Sequence, residues 1–255
     1  MSVIVEVFGA RSDNFGYLVH DVATGRTAAI DAPETAAIKA ALTRRGWTLT
    51  DIFITHHHID HVEAIPELKA EYRARVVGPR GEADKINDLD ELVAGGDQVT
   101  LGETVFDVYD APGHTLGHIV FHDAANKHLF TADALFSLGV GRMFEGTPGP
   151  MWAGVKFLRS LPDDTLVYCG HEYTASNAKF ALSIDPDNAA LQKRAAEVAE
   201  LRIAGRATIP FPLGEDKAAN PFLRADDPVL ARRYGLEGAD PAEVFAAIRK
   251  GKDNF

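Results

Sequence analysis

Cysteine occurs once in the 255 residues, at Cys169, so neither an internal disulfide nor a cysteine-rich structural zinc site can be built. Its position at the end of a strand-like run marks it as a small buried hydrophobe rather than a nucleophile. Long apolar runs are also missing. Stretches such as 51–54 and 132–140 are short or interrupted, and none approaches the roughly 20 residues that cross a bilayer, which predicts a soluble chain. The first residues, Met1-Ser2-Val3-Ile4-Val5-Glu6, lack a basic segment followed by an apolar core, so no secretory signal is visible and the cytoplasm is expected. Positive charge is in deficit: 26 Lys and Arg stand against 37 Asp and Glu, giving a net charge of −11. Such a surface repels polyanions and argues against nucleic acid as a partner.

What is present, 46% hydrophobic and 25% charged residues, suits one large core and a small second unit. From Val3 to about Gly170 short β-rich runs dominate, at 3–8, 17–22, 28–31, 51–54, 104–109, 119–122, 129–132 and 165–168. Helices are predicted over 34–45, 66–72 and 152–160, the first stopped by Gly46. Beyond Tyr173 the texture turns to helix formers, with 188–204 and 241–250 the clearest patterns and 209–214 read as a Pro/Gly-broken loop. The chain is therefore divided into a sheet-rich part, 1–170, and a helical part, 171–255.

The chemistry is concentrated after the run ending at Ile54. His56, His58, Asp60 and His61 follow the pattern His-x-His-x-Asp-His, whose chance occurrence in a chain of this length is on the order of one in a thousand. Alternating positions in an extended loop let His56 and His58 converge on one cation while Asp60 and His61 converge on a neighbour. Further ligands stand at strand exits: His114 in a Pro-Gly turn, Asp133 after Phe130-Thr131-Ala132, where an unpaired carboxylate would be costly, and His171 after Cys169-Gly170. Asp133 can bridge two cations. His57, between two ligands, is expected to point away from them, and His118 to support the loop. Glu172 is open between orienting an imidazole and lying in solvent. His20, His122 and His128 are expected in surface or hydrogen-bonded positions.

These motifs, with Asp13-Asn14-Phe15-Gly16-Tyr17, Gly141-Arg142-Met143-Phe144-Glu145-Gly146, Gly170-His171-Glu172-Tyr173-Thr174, Asn220-Pro221-Phe222-Leu223-Arg224 and 247–253, resemble the metallo-β-lactamase superfamily and, within it, the hydroxyacylglutathione hydrolases (glyoxalase II) over essentially the full chain. The resemblance implies an α+β fold, a four-layer αβ/βα sandwich followed by a small helical domain that binds glutathione. It implies two divalent ions, zinc first with iron or manganese as alternatives. His56, His58 and His114 would hold one, Asp60, His61 and His171 the other, with Asp133 shared and Asp60 and Asp133 the catalytic carboxylates. Arg142, Tyr173, Arg249 and Lys252 would bind the glutathione of the substrate, and Phe144 stands where some relatives carry a tyrosine. The implied reaction is hydrolysis of S-D-lactoylglutathione to glutathione and D-lactate by a hydroxide bridging the metals, the second step of methylglyoxal detoxification, in a monomer with a small-molecule substrate and no membrane partner. The alternatives are a persulfide dioxygenase with one iron, or another hydrolase of the fold such as a lactonase.

Overall fold

The computed structural model describes residues 3–255. The chain forms two compact units, one of residues 1–110 and 116–131, the other of residues 111–115 and 132–255.

The first unit is built on two sheets. One follows chain order: β1 (Val3–Ala10), β2 (Asn14–Asp21), β3 (Thr27–Ile30), β4 (Asp51–Phe53), β5 (Arg75–Pro79) and β6 (Glu91–Val93). β1 to β3 form antiparallel pairs, whereas β3 to β6 run parallel. Parallel neighbours need crossovers, and α1 (Thr35–Arg45) and the pair α2 (Ile59–Val62) and α3 (Ile65–Tyr72) supply two of them. α1 stops where expected, because Gly46 takes φ 68° and its N–H closes on the carbonyl of Thr43. Ile38, Leu42, Leu68, Ile52, Ile54 and Val76 are buried together where these helices cover the sheet. The second sheet of this unit is an antiparallel meander of β7 (Gln98–Leu101), β8 (Thr104–Asp110), β9 (Ile119–Asp123) and β10 (His128–Ala132). Aromatic rings join the two sheets: Phe53 lies 5.6 Å from Phe106 and 5.4 Å from Phe121, and Tyr17 lies 5.7 Å from Phe130. Each such ring is worth about 3–5 kcal/mol against alanine.

The second unit has the hairpin β11 (Leu135–Phe136) and β12 (Gly139–Val140), α4 (Pro148–Arg159), β13 (Leu166–Cys169), α5 (Thr174–Ile184), α6 (Ala189–Ile203), β14 (Phe211–Pro212), α7 (Leu213–Ala219), α8 (Pro228–Arg233) and α9 (Pro241–Asp253). Asn188 and Asp240 cap α6 and α9 with their side chains. The core of this unit is aromatic, with Phe245 5.9 Å from Trp152 and 5.7 Å from Phe222.

Several sequence expectations are corrected. The segment 209–214 is not all loop: a cis Ile209–Pro210 bond precedes β14, which pairs with β13, and α7 starts at Leu213. Pro212 is tolerated because it ends a two-residue strand. β5, β6 and β7 do not stand out in the sequence: β5 ends in Gly78-Pro79, β6 is three residues with an exposed Leu92, and β7 is four residues with polar Gln98 and Thr100 exposed. α9 continues through Gly251 to Asp253 rather than ending at Lys250, since a side chain at Gly251 would meet Tyr234 Oη at 3.1 Å and Phe180 at 3.4 Å. That extension places Asp253 one helical turn from Arg249.

At the tip of the β11–β12 hairpin Leu138 adopts φ 58°, and the buried carboxylate of Asp216 accepts its N–H at 3.0 Å and the hydroxyl of Ser137 at 3.1 Å. Asn220 donates to Asp216 at 2.8 Å and to the carbonyls of Phe136 and Gly139. Burial pushes the Asp216 carboxyl from its ordinary 3.8 up to about 6, against its hydrogen bonds. The folded state thus binds this proton more tightly than the unfolded chain, so the associated stability is complete below about pH 4 and lost as pH rises through about 6. We expect wild type to lose on the order of 2–3 kcal/mol across that window relative to Asp216→Asn in denaturant titrations; parallel pH profiles for the two proteins would contradict it.

Candidate metal centre

In the first unit the His-x-His-x-Asp-His segment leaves β4 extended and then coils. His58 is the extended residue before α2, and Asp60 and His61 lie within that helical turn. The expectation of a wholly extended loop is therefore corrected, with the helical turn rather than alternation placing the last two side chains. The rings of His58 and His61 lie 4.8 and 4.2 Å from that of His56. Asp31, at the end of β3 with φ 58°, organises them. Its Oδ1 accepts the backbone N–H of Thr55 at 2.8 Å, and its Oδ2 accepts from His61 Nδ1 at 2.7 Å. The Thr55 hydroxyl lies 2.9 Å from Asp31 Oδ2 and 3.0 Å from His56 Nδ1. A carboxylate only accepts, so the single hydroxyl proton goes to Asp31 and the hydroxyl oxygen accepts from His56 Nδ1–H. In both imidazoles Nδ1 carries the proton, which leaves Nε2 as the atom able to bind a cation. Asp60 is held through Oδ2 by the side-chain amide of Asn14 at 3.0 Å, and that oxygen lies 3.6 Å from His61 Nε2.

The second unit contributes His114, Asp133 and His171, all buried. The turn holding His114 needs Gly113, at φ 142°, where a side chain would strike Met151 at 2.4 Å. His114 Nδ1 donates to the carbonyl of Arg142 at 2.8 Å, which again leaves Nε2 as the ligand atom. Asp133 follows β10, whose last residue, Ala132, takes φ 41° and accepts the N–H of Gly170 at 2.9 Å. The two oxygens of Asp133 face different imidazoles: Oδ2 is 3.2 Å from His114 Nε2, and Oδ1 is 3.4 Å from His171 Nε2. Ligand bonds of 2.0–2.1 Å in tetrahedral geometry separate ligand atoms by ~3.4 Å. The spacings of 3.2–3.6 Å, and a donor set of imidazole and carboxylate without thiolate, therefore fit divalent cations. Cys169 is fully buried, with its thiol pushed up by burial, and is no ligand.

Other predicted residues fall as follows. His57 turns to Glu82, donating from Nδ1 at 2.8 Å. His118 is buried and stacks on His56 at 4.6 Å. His20 meets Thr27 Oγ1 at 2.9 Å, and His122 is buried rather than at the surface. Glu172 is neither an imidazole orienter nor solvated: it accepts from Thr208 N and Oγ1 and from Arg202. Tyr173 stacks on His171 at 4.7 Å with planes 3° apart and stays 40% exposed. Arg142 is exposed and reaches Asp253, and Lys252 donates to Ser176. Arg249 differs from the other cations. It is buried, its donors are taken by Val140 and Asp253, and burial lowers its pKa. Phe144 is 60% exposed, 5.3 Å from the ring of His114. Asp31 is not singled out by the sequence, and Asn14 only as part of the 13–17 motif, with no role given to it; the signal available for Asp31 is a carboxylate ending an apolar strand.

The family model described as metallo-beta-lactamase superfamily matches residues 17–171, and that described as hydroxyacylglutathione hydrolase C-terminus matches residues 172–255. A curated "Hydroxyacylglutathione hydrolase" of Bradyrhizobium sp. (strain ORS 278) is 55% identical over 253 residues, 99% of each chain. The solved structure of ETHE1 from Myxococcus xanthus superposes with a TM-score of 0.70 at 28% identity, covering 97% of this chain and 90% of that one. The structure of TTHA1623 in a di-iron-bound form, 26% identical, superposes with a TM-score of 0.56 over 66% of this chain and 91% of its own.

Removing the Asp31 carboxylate should free the ring of His61 and the hydroxyl of Thr55 together. For Asp31→Ala we expect a 10- to 100-fold weaker metal affinity in chelator competition. Unchanged affinity would show that Asp31 plays no part in orienting the ligands.

Proposed function

The chain belongs to the hydroxyacylglutathione hydrolase family of the metallo-β-lactamase superfamily, and on that basis we propose how its residues hydrolyse a glutathione thioester. Its fold is the α+β metallo-β-lactamase fold with a helical C-terminal part, and it is a thioester hydrolase acting on hydroxyacylglutathione. The persulfide dioxygenase and lactonase alternatives are not favoured, because the match to curated hydroxyacylglutathione hydrolases runs over 99% of the chain, the helical part included. No helix among the described residues is long and apolar enough to cross a membrane.

In this reading residues 1–170 carry the chemistry and 171–255 the recognition of glutathione. His56, His58 and His114 would hold one divalent ion and Asp60, His61 and His171 the other, with Asp133 available to both. The observation that carries this assignment is the placement of the two Asp133 oxygens against two different imidazoles. The chemistry such ions, zinc by preference, would supply when bound is a lowering of a water's pKa from about 15.7 toward neutrality and polarisation of the thioester carbonyl. Asp60 and Asp133 orient the attacking water by accepting its hydrogens, and Asn14 keeps the Asp60 carboxylate in place. Addition of the water oxygen to the carbonyl carbon and cleavage of the C–S bond give a 2-hydroxy acid, D-lactate from S-D-lactoylglutathione, and glutathione. Thiolate leaves readily, so no side chain need protonate it. Arg142, Tyr173 and Lys252 contact the glutathione, and Arg249 adds its charge from beneath. On a chain of net charge −11, anion binding needs such a local cluster. The place assigned is the second step of methylglyoxal detoxification, in the cytoplasm, by a monomer.

The direct test is turnover of S-D-lactoylglutathione by purified protein against a β-lactam, a lactone and glutathione persulfide. We expect hydrolysis of the thioester to dominate, and no measurable thioester turnover would overturn the assignment. For recognition, Arg142→Ala/Lys252→Ala should raise KM by roughly one to two orders of magnitude, the loss of charge-assisted hydrogen bonds of about 1.5–3 kcal/mol, with kcat changed much less. The wild-type KM should also rise with ionic strength, and more steeply than that of the variant. An equal loss on a thioester without glutathione carboxylates would refute the recognition role.

A further inference from the structure

Arg249 is a poor candidate for a simple substrate cation. Its side chain is 7% exposed, and its Nη1 donates at 2.8 Å to the carbonyl of Val140. Its Nε and Nη2 lie 3.2 and 3.0 Å from Asp253 Oδ1, and its guanidinium sits over the ring of Phe222 at 5.2 Å. These contacts of all three guanidinium nitrogens lead back into the protein, and a buried charge of this kind is retained at the cost of desolvation only where its partners are fixed.

The fixed partner is the strap Val140-Gly141-Arg142. Gly141 passes so close to the metal ligands that a Cβ there would lie 2.1 Å from the carbonyl oxygen of Asp133 and 3.0 Å from His114 Nδ1. The next carbonyl, that of Arg142, accepts the proton of His114 Nδ1 at 2.8 Å. The strap is thus tied to Arg249 at Val140, and it holds His114 two residues later. Asp253 closes the loop, since its Oδ1 also accepts from Arg142 Nε at 3.2 Å.

We propose that Arg249, paired with Asp253, is a positioning residue that fixes the Val140–Arg142 strap and through it the imidazole of His114. The inference rests on the reading of His114 as a metal ligand. It gives the C-terminal helix a part in building the metal centre, beyond recognition of the thioester's glutathione. It also separates two cations that composition alone would group: Arg142 presents its side chain outward and its carbonyl to His114, whereas Arg249 acts on the backbone.

The test is a zinc titration of metal-free protein against a chelating indicator, with kcat and KM measured in parallel. Arg249→Lys keeps the charge but loses the fork that joins Val140 to Asp253. We expect its zinc affinity to fall about 10-fold, the lower end of the range for residues that orient a ligand, while KM changes less than 3-fold and kcat lost at limiting zinc returns with excess zinc. Arg249→Met should weaken zinc at least as much. Arg142→Ala strips an exposed cation but keeps the carbonyl, so it should raise KM and leave zinc affinity within 2-fold. If Arg249→Lys binds zinc within 2-fold of wild type, the positioning role is overturned, whether or not Arg249→Met folds. Failure of wild type itself to bind zinc would instead strike at the ligand assignment.

Discussion

The hydrogen bond from the Nδ1 of a proposed ligand histidine to an oxygen that accepts it is the interaction on which the proposed metal binding depends. His61 uses Asp31, His56 uses the hydroxyl of Thr55, and His114 uses the carbonyl of Arg142. An imidazole can swivel and exchange tautomers until one nitrogen is committed, and only then does the other become a ligand atom with a fixed direction. The elements around the three histidines can be read as supports for those acceptors. β3 ends at Asp31 in a left-handed conformation, and the β11–β12 hairpin leads into Arg142. Asp216 and Asn220 secure that hairpin at its tip, and Arg249 secures it at Val140.

The same requirement explains what the sequence shows openly and what it conceals. The ligand motif is legible because imidazole and carboxylate crowded into six residues have few other uses, and because His114, Asp133 and His171 each stand at a strand exit. Asp31 and Thr55 are not legible in that way. An aspartate ending a strand is common, and its role appears only when β3 and β4 pair in parallel and bring it beside Thr55. The carbonyl of Arg142 is further out of reach, because a backbone acceptor leaves no mark on residue type. Short strands such as Glu91–Val93 escape for a related reason, with one buried residue in three, beside a charged Glu91 and an exposed Leu92.

The helical C-terminal part illustrates how charge misleads when burial is unknown. Arg249, Lys250 and Lys252 read by residue type alone as a cationic helix end, and by the family resemblance Arg249 and Lys252 read as an anion site. The fold separates them: Arg249 is turned inward, while Lys252 lies at the surface edge, its ammonium pushed below its usual range by burial and by the charge of Arg249. Gly251, just past the 241–250 pattern, is the point of close approach to Tyr234 and Phe180. The helix therefore runs far enough for Asp253 to stand between Arg142 and Arg249.

The central claim is that one carboxylate, Asp133, serves two cations. Elemental analysis of active protein, compared with Asp133→Ala, tests it most directly. The account predicts close to two metal ions per chain in the wild type, and in the variant no more than one, with most of kcat lost, since two cations would otherwise face each other without the shared carboxylate. A single ion in fully active wild-type protein, or an Asp133→Ala variant that keeps both ions and its activity, would contradict it.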